Sequence, residues 1–410
     1  MGEQRDTSAS GLTGKRPGVT VDERLRHPGT ASSTWHPQVR ALYRAFLRER
    51  SVPGAPVLPD LVGQGGPRRA PVGPGRPSHR RAVVLSVSLR LIAAGPLFVL
   101  ACIWVVFALL SPYFLTTSNL TNILVQSSST ALLALGALVV VIVGSLDLSL
   151  GSTTGLCTIV AAVMFRDHPS LGWLVIPAAL AAGLAIGLVN SLVIVVLRIG
   201  NAFIVTLGML YVVQSISYVT SGGTQVPGVP GYMLTLANGK LAGIPGPVIL
   251  VLLSGGLLAF VLNRVVWGRW IVAIGGSADA AGRAGIPVRK VLFSVYVIAS
   301  LFAAIGGVLV SGLNDAGAPD SGNSILLAIA AVVIGGARLT GGRGSVWATL
   351  VGAVILGTIT NGLTLLSVSP NWTPFAVGAV LIAAVGLDAL RSTIEGRLRV
   401  RHAQVQAGGA

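Results

Sequence analysis

One carboxylate breaks the pattern of its surroundings. Asp147 stands in VGSLDLSLGS (143–152), after the uncharged run ALLALGALVVV (131–141). An ionisable side chain in such sequence, if it lies at membrane depth, either pairs with polar groups or marks a pathway. Ser145 and Ser149 flank it. Asp147 can therefore cap a helix start, its charge favoured by the positive end of the helix dipole. It can equally be a gate or pathway group, and both roles stay open. Gln126, Asn190, Thr206, Gln214, Asn361 and Thr364 stand singly in other apolar runs. Amides and hydroxyls suit weak, reversible hydrogen bonding to a polyol. A proton-coupled carrier more often shows several buried carboxylates. The same groups can also act as glue between helices, worth about 1 kcal/mol each.

Other chemistries find no residues to carry them. Cys102 and Cys157 both lie in apolar runs, so neither a disulfide framework nor a cysteine metal site is expected. No CxxC or HExxH occurs, and the five histidines do not cluster. The turn GGARLTGGRGS (335–345) is rich in glycine but lacks the Lys-Ser/Thr of a nucleotide-binding loop. No catalytic residue, metal ligand or resident cofactor is assigned, and the chain reads as a non-enzyme.

The elements that must hold these residues are membrane helices. Hydrophobic residues make up 52% of the 410, charged residues only 10%, and mean hydropathy is +0.79. Soluble domains carry about a quarter charged residues, so this is an all-α polytopic membrane protein. Apolar segments run at 91–110, 123–144, 150–165, 171–197, 202–221, 248–264, 291–312, 324–337, 346–367 and 373–390. Those at 150–165 and 324–337 are short of the ~20 residues a span needs, which suggests broken or buried helices. The segments 132–152 and 326–345 echo one another weakly, each ending a helix in a polar Gly-Ser turn.

Charge orients them. Residues 1–90 hold 15 Lys/Arg against 6 Asp/Glu, whereas 91–390 hold 10 against 6. About ten spans with both termini cytoplasmic put Arg269, Arg283, Arg289, Lys290, Arg338 and Arg343 inside. Arg166 and Lys240 are then the exceptions outside. The same rule accounts for a pI near 11.3 without a nucleic-acid partner. Residues 1–82 read as a disordered basic cytoplasmic tail, 83–392 as the permease domain and 393–410 as a short cytoplasmic tail. Within the first tail, WHPQVRALYRAFLRER puts Trp35, Val39, Leu42, Tyr43 and Phe46 on one helical face, fit for anionic membrane lipid.

The most informative polar stretch is WGRWIVAIGGSADAAGRAGIPVRK (267–290). Within it SADAAGRAGI forms a short helix presenting little bulk at Ala280, Ala281 and Ala284, ended by Gly285 and blocked by Pro287. Such a knob between two spans can dock a cytoplasmic partner.

This segment resembles the EAA-type coupling loop of ABC importer permeases, with Asp279 at the usual Glu position. The rest is similar to their ribose-type, monosaccharide branch. The matching stretches are LALGALVVVIVGSLDLSLGS (133–152), NAFIVTLGMLYVVQSISYVTSGG (201–223), GRWIVAIGGSADAAGRAGIPVRKV (268–291) and 327–366. The resemblance covers 90–390 and leaves the basic tail outside. It implies a type II-like importer fold in the cell membrane. Two permease chains, here two copies of this one, would form the pore. A separate cytoplasmic subunit would bind ATP and Mg, and an extracytoplasmic sugar-binding lipoprotein or periplasmic protein would deliver a monosaccharide such as ribose or xylose. Ser277, Asp279, Ala280, Ala281, Gly282, Arg283, Gly285 and Ile286 would transmit the ATPase motion. Asp147 and the polar residues named above would line the pathway. A nucleoside or branched-chain amino acid permease shares this layout, and a secondary transporter is the more distant alternative.

Overall fold

The computed structural model describes residues 95–199, 201–320 and 325–380, with residues 382 and 386. The basic tail, its lipid-facing segment and the C-terminal tail lie outside the described residues, as does most of the tenth apolar segment beyond the helical stretch 373–380.

The described chain is mostly helical. In order it forms α1 (Gly95–Leu110), α2 (Thr117–Ile142), α3 (Ser149–Asp167), α4 (Val175–Ser191) and α5 (Ala202–Ser221). Then come α6 (Gly231–Asn238), α7 (Gly246–Arg264), α8 (Val266–Gly276), α9 (Ala278–Arg283), α10 (Val288–Asn314), α11 (Ile325–Ile334) and α12 (Val346–Leu365). Among the described residues, seven helical stretches are long and apolar enough to cross a membrane: α2, α3, Pro169–Val196 around α4, α5, α7, α10 and α12. The chain is thus a multi-pass membrane protein. α1 and α11 are apolar but shorter. The described part of α11 is ten residues, and the residues just before it, 321–324, lie outside the described residues.

Burial sorts the helices. α2 is the central one, with Leu132, Leu135, Leu138 and Ile142 closed off, and it packs against α10 and α12. The segment 150–165, expected to be a short broken or buried helix, is corrected in length: α3 runs 19 residues because Ser149 and the polar residues at its end join the helix, while burial holds along Ser149–Ile159. Its Ser, Gly and Thr side chains are small enough to let neighbours approach. A Cβ on Gly307 of α10 would lie 2.6 Å from the Thr154 carbonyl of α3, so the two backbones touch. Thr154 Oγ1 then donates to the Ala303 carbonyl at 3.1 Å. α5 instead leaves Ile204, Tyr211 and Val219 exposed, as a lipid- or partner-facing helix would.

At one end, irregular backbone dips inward. β1 (Val226–Pro227) pairs antiparallel with β4 (Ala316–Gly317), and Gly228 N–H donates to the Asp315 carbonyl at 2.8 Å. Ala316, Ala318 and their neighbours Gly317 and Pro319 are buried. The Thr158 hydroxyl serves both backbone groups of Ala318, accepting from its N–H and donating to its carbonyl at 3.0 Å each. Buried non-helical backbone requires such satisfaction. The hairpin of β2 (Lys240–Leu241) and β3 (Ile244–Pro245) closes before α7.

Candidate functional site

The helix α9, expected to dock a partner, has only six residues, too few to hold as an isolated helix. Its ends are therefore decisive. Ser277 is extended, and its hydroxyl accepts the Ala280 N–H at 3.2 Å. Asp279 sits in the first turn and Arg283 in the last, each complementing the dipole. At the far end Gly285 turns left-handed at φ 85°. Its N–H donates to Gly282 O at 3.0 Å, and Ile286 N–H reaches back to Ala281 O at 3.1 Å. Those two bonds make a Schellman stop, and Pro287 prevents continuation. Asp279, Ala280, Gly282, Arg283, Ala284 and Gly285 are exposed, while Ile286 is half-buried. The expectation that Ala281 adds to the exposed face is corrected: it turns inward, 5% exposed, into the core beneath α9.

Three turns meet beside this helix. Gly342 N–H donates to the last carbonyl of α2, Ile142, at 2.8 Å. Gly275, at the end of α8, has its Cα face against Ile142 O and Gly342 N, so a side chain there has no room. A Cβ on Gly341 would come within 2.8 Å of both Gly144 N and Gly275 O. Gly144, Gly341 and Gly342 all take positive φ. These glycines join the root of α9 to the turn that leads to Asp147.

In that turn Asp147 is buried, 3% exposed. Its Oδ1 accepts the Ser149 N–H at 2.9 Å and the Ser149 hydroxyl at 2.6 Å. Leu148 already has helical angles, so it is the first residue of α3 in conformational terms and Asp147 is the cap. Asn190, at the end of α4, donates through Nδ2 to Ser149 Oγ at 2.8 Å and to Asp147 Oδ2 at 3.4 Å. Asn190 Oδ1 has no partner among the described residues. Thr206 of α5 is buried close by, its hydroxyl donating to Phe203 O at 3.2 Å and, weakly, to Leu146 O at 3.4 Å.

Of the expected pathway residues, Asp147, Asn190 and Thr206 are thus brought together, and the others are not. Gln126 is exposed on α2 and Gln214 half-buried on α5. Asn361 of α12 is buried with its Oδ1 unpartnered among the described residues. Thr364 bonds its own helix at Thr360 O. Sequence reasoning missed Tyr296, whose hydroxyl shares a 2.8 Å hydrogen bond with Ser145. A phenol that stands alone among the apolar residues of α10 was its only signal. It also missed Thr158, one of many hydroxyls on α3. Among the described residues no three His, Cys, Asp or Glu gather where a metal ion could sit.

Residues 119–385 match the family described as branched-chain amino acid transport system / permease component. The chain belongs to this permease family. It is 34% identical over 302 residues to the D-allose transport system permease protein AlsC of Escherichia coli, covering 73% of this chain and 92% of that one. It is 34% identical over 316 residues to the galactose/methyl galactoside import permease protein MglC of Haemophilus influenzae, covering 72% and 93%. It is 35% identical over 286 residues to the ribose import permease protein RbsC of Escherichia coli, covering 68% and 88%. No solved structure matches the chain.

Proposed function

We propose that the chain is the membrane-spanning subunit of an ABC importer that carries a monosaccharide across the cell membrane. The observation that carries this is similarity to permeases named for allose, galactose and ribose along most of both chains. In this reading a separate cytoplasmic subunit binds ATP with Mg and hydrolyses it, and this chain performs no catalysis. A sugar-binding protein delivers solute from outside, and a second copy of the permease completes the pore. Ten spans with both termini inside place α9 in the cytoplasm.

The contacts support a mechanism for this reading. The ATP-binding subunit grips the exposed residues of α9 and moves it as its nucleotide sites close. Gly275 leaves no slack against Ile142 and Gly342, so displacement of α8 and α9 reaches the turn at 143–148. There Asp147, Ser149 and Asn190 tie the start of α3 to the end of α4. Breaking this knot separates the two helix ends and opens the inner gate. Thr206 lines the same gate, while Gln126, Gln214 and Asn361 serve the sugar elsewhere on its way. Uncharged partners hold it weakly enough to let it leave.

Uptake of radiolabelled ribose, allose, galactose, xylose and arabinose in cells lacking their own importers tests the reading. Uptake of one of them is expected only with the ATPase and binding protein co-expressed. A second reading, an importer of branched-chain amino acids, draws on the description of the matching family. Uptake of leucine and of none of the sugars would establish it instead.

A further inference from the structure

The glycine-rich turn at 338–344 lends Gly342 to the gate's transmission, but its arginines have no part in that mechanism. Arg338, Leu339, Thr340 and Arg343 are exposed. Arg338 and Arg343 make no ion pair among the described residues, where Arg166–Asp167 is the one such pair. The turn is nevertheless held firmly. Gly341 N–H donates to Arg338 O at 2.9 Å, Arg338 N–H to Arg343 O at 3.2 Å, and Gly342 N–H to Ile142 O at 2.8 Å. Left-handed Gly341 and Gly342 let the backbone lie against Gly275. Only two residues, Gly276 and Ser277, separate Gly275 from α9.

Size then decides what must happen on docking. A standard protein interface buries about 800 Å² on each partner, a disc roughly 16 Å in radius. α9, with six residues, is about 9 Å long. Its root lies within about 10 Å of chain from the turn. A partner seated on α9 with a standard footprint therefore reaches the edge of the turn that carries Arg338 and Arg343. Among the described residues Asp279 is the one acid on this surface, beside Arg283, Arg289 and Lys290.

We infer that the turn 338–344 is a second docking element for the ATP-binding subunit, which presents acidic side chains to Arg338 and Arg343 at the rim of its groove for α9. The inference rests on the importer reading above. The rigid backbone suits it to a protein surface of fixed geometry. Arginine here pairs carboxylates in bidentate fashion, giving register to a helix whose own exposed residues are mostly small.

The test uses the full permease in nanodiscs of uncharged phosphatidylcholine, titrated with its ATP-binding subunit. Arg338→Glu/Arg343→Glu should bind about tenfold more weakly at low salt, two exposed pairs turned repulsive being worth that much. Arg338→Lys/Arg343→Lys should recover part of the loss, and high salt should erase the difference. Binding of the native permease should itself weaken as salt rises, a readout that needs no variant to fold. Unchanged affinity in the Glu variant, or salt-independent binding of the native protein, overturns the inference. A defect seen only with anionic lipid in the disc also overturns it, assigning the turn to the membrane. Ala284→Trp on α9 separates the two readings. If it abolishes binding while the arginine variants bind normally, the importer reading stands and only the second docking element falls. If neither matters, the importer reading fails too.

Discussion

At Asp147 the structural role is visible in its hydrogen bonds, and the gating role proposed for it is open to a single substitution. As the cap of α3 it satisfies the Ser149 N–H, and through Asn190 it fastens α4. Asp147→Asn keeps the size and much of the hydrogen bonding but removes the charge. We expect normal membrane abundance and at least tenfold slower uptake, measured by immunoblot and radiolabelled sugar. Asp147→Ala leaves buried donors unanswered and should also lower the unfolding midpoint in detergent, at about 1–3 kcal/mol. Equal uptake by the Asn variant and the native protein would reduce Asp147 to its cap. The cap role was legible, because Asp before an apolar run with serines nearby is a helix-start pattern. The partner Asn190, 43 residues away, was legible only as a polar residue in an apolar helix. Which polar groups meet depends on helix packing, and sequence spacing does not encode that. Gln126 and Asn361 carried the same signal and lie elsewhere.

At the scale of elements, α9 was the most readable part of the chain. Ser277, Gly285 and Pro287 are local signals, and each acts within four residues of its position. Gly285→Val forces a branched side chain into a left-handed angle. It should unravel the C-terminal stop and lose ATPase binding, as read by co-purification. The inward turn of Ala281 was not legible, since a run of small residues has no hydrophobic face to orient it. The glycine junction was also hidden, because it joins turns at 144, 275 and 341–342 that are distant in sequence. Gly275→Ala tests it from the other side. A methyl group there must push apart α8 and the turn after α2. The expected outcome is an importer that still binds its ATPase and still hydrolyses ATP, but takes up little sugar. Loss of binding together with uptake would place Gly275 in the docking surface rather than in the transmission.

For the whole molecule, the apolar segments located the helices well, and the reason is simple. A bilayer rewards apolar length so strongly that composition alone marks a span. Lengths were less legible, because a buried helix need not obey the bilayer. α3 runs 19 residues where the apolar pattern offered only 150–165, and α11 ends at Gly335 and Gly336, packed against α12. The dip of Ala316–Pro319 toward Thr158 left no trace in the apolar pattern. Topology is open to chemical labelling. With Cys102 and Cys157 replaced by Ala, a cysteine at Lys240 should react with a membrane-impermeant maleimide in intact cells. One at Arg283 should react only after the membrane is opened. The central claim, that motion of an ATP-binding subunit reaches the pore through α9, is tested most directly by uptake in cells carrying permease, binding protein and ATPase. With the ATPase present, native permease should accumulate sugar and the Gly285→Val variant, at equal abundance, should not. Undiminished uptake without the ATPase, or by the variant, would contradict it.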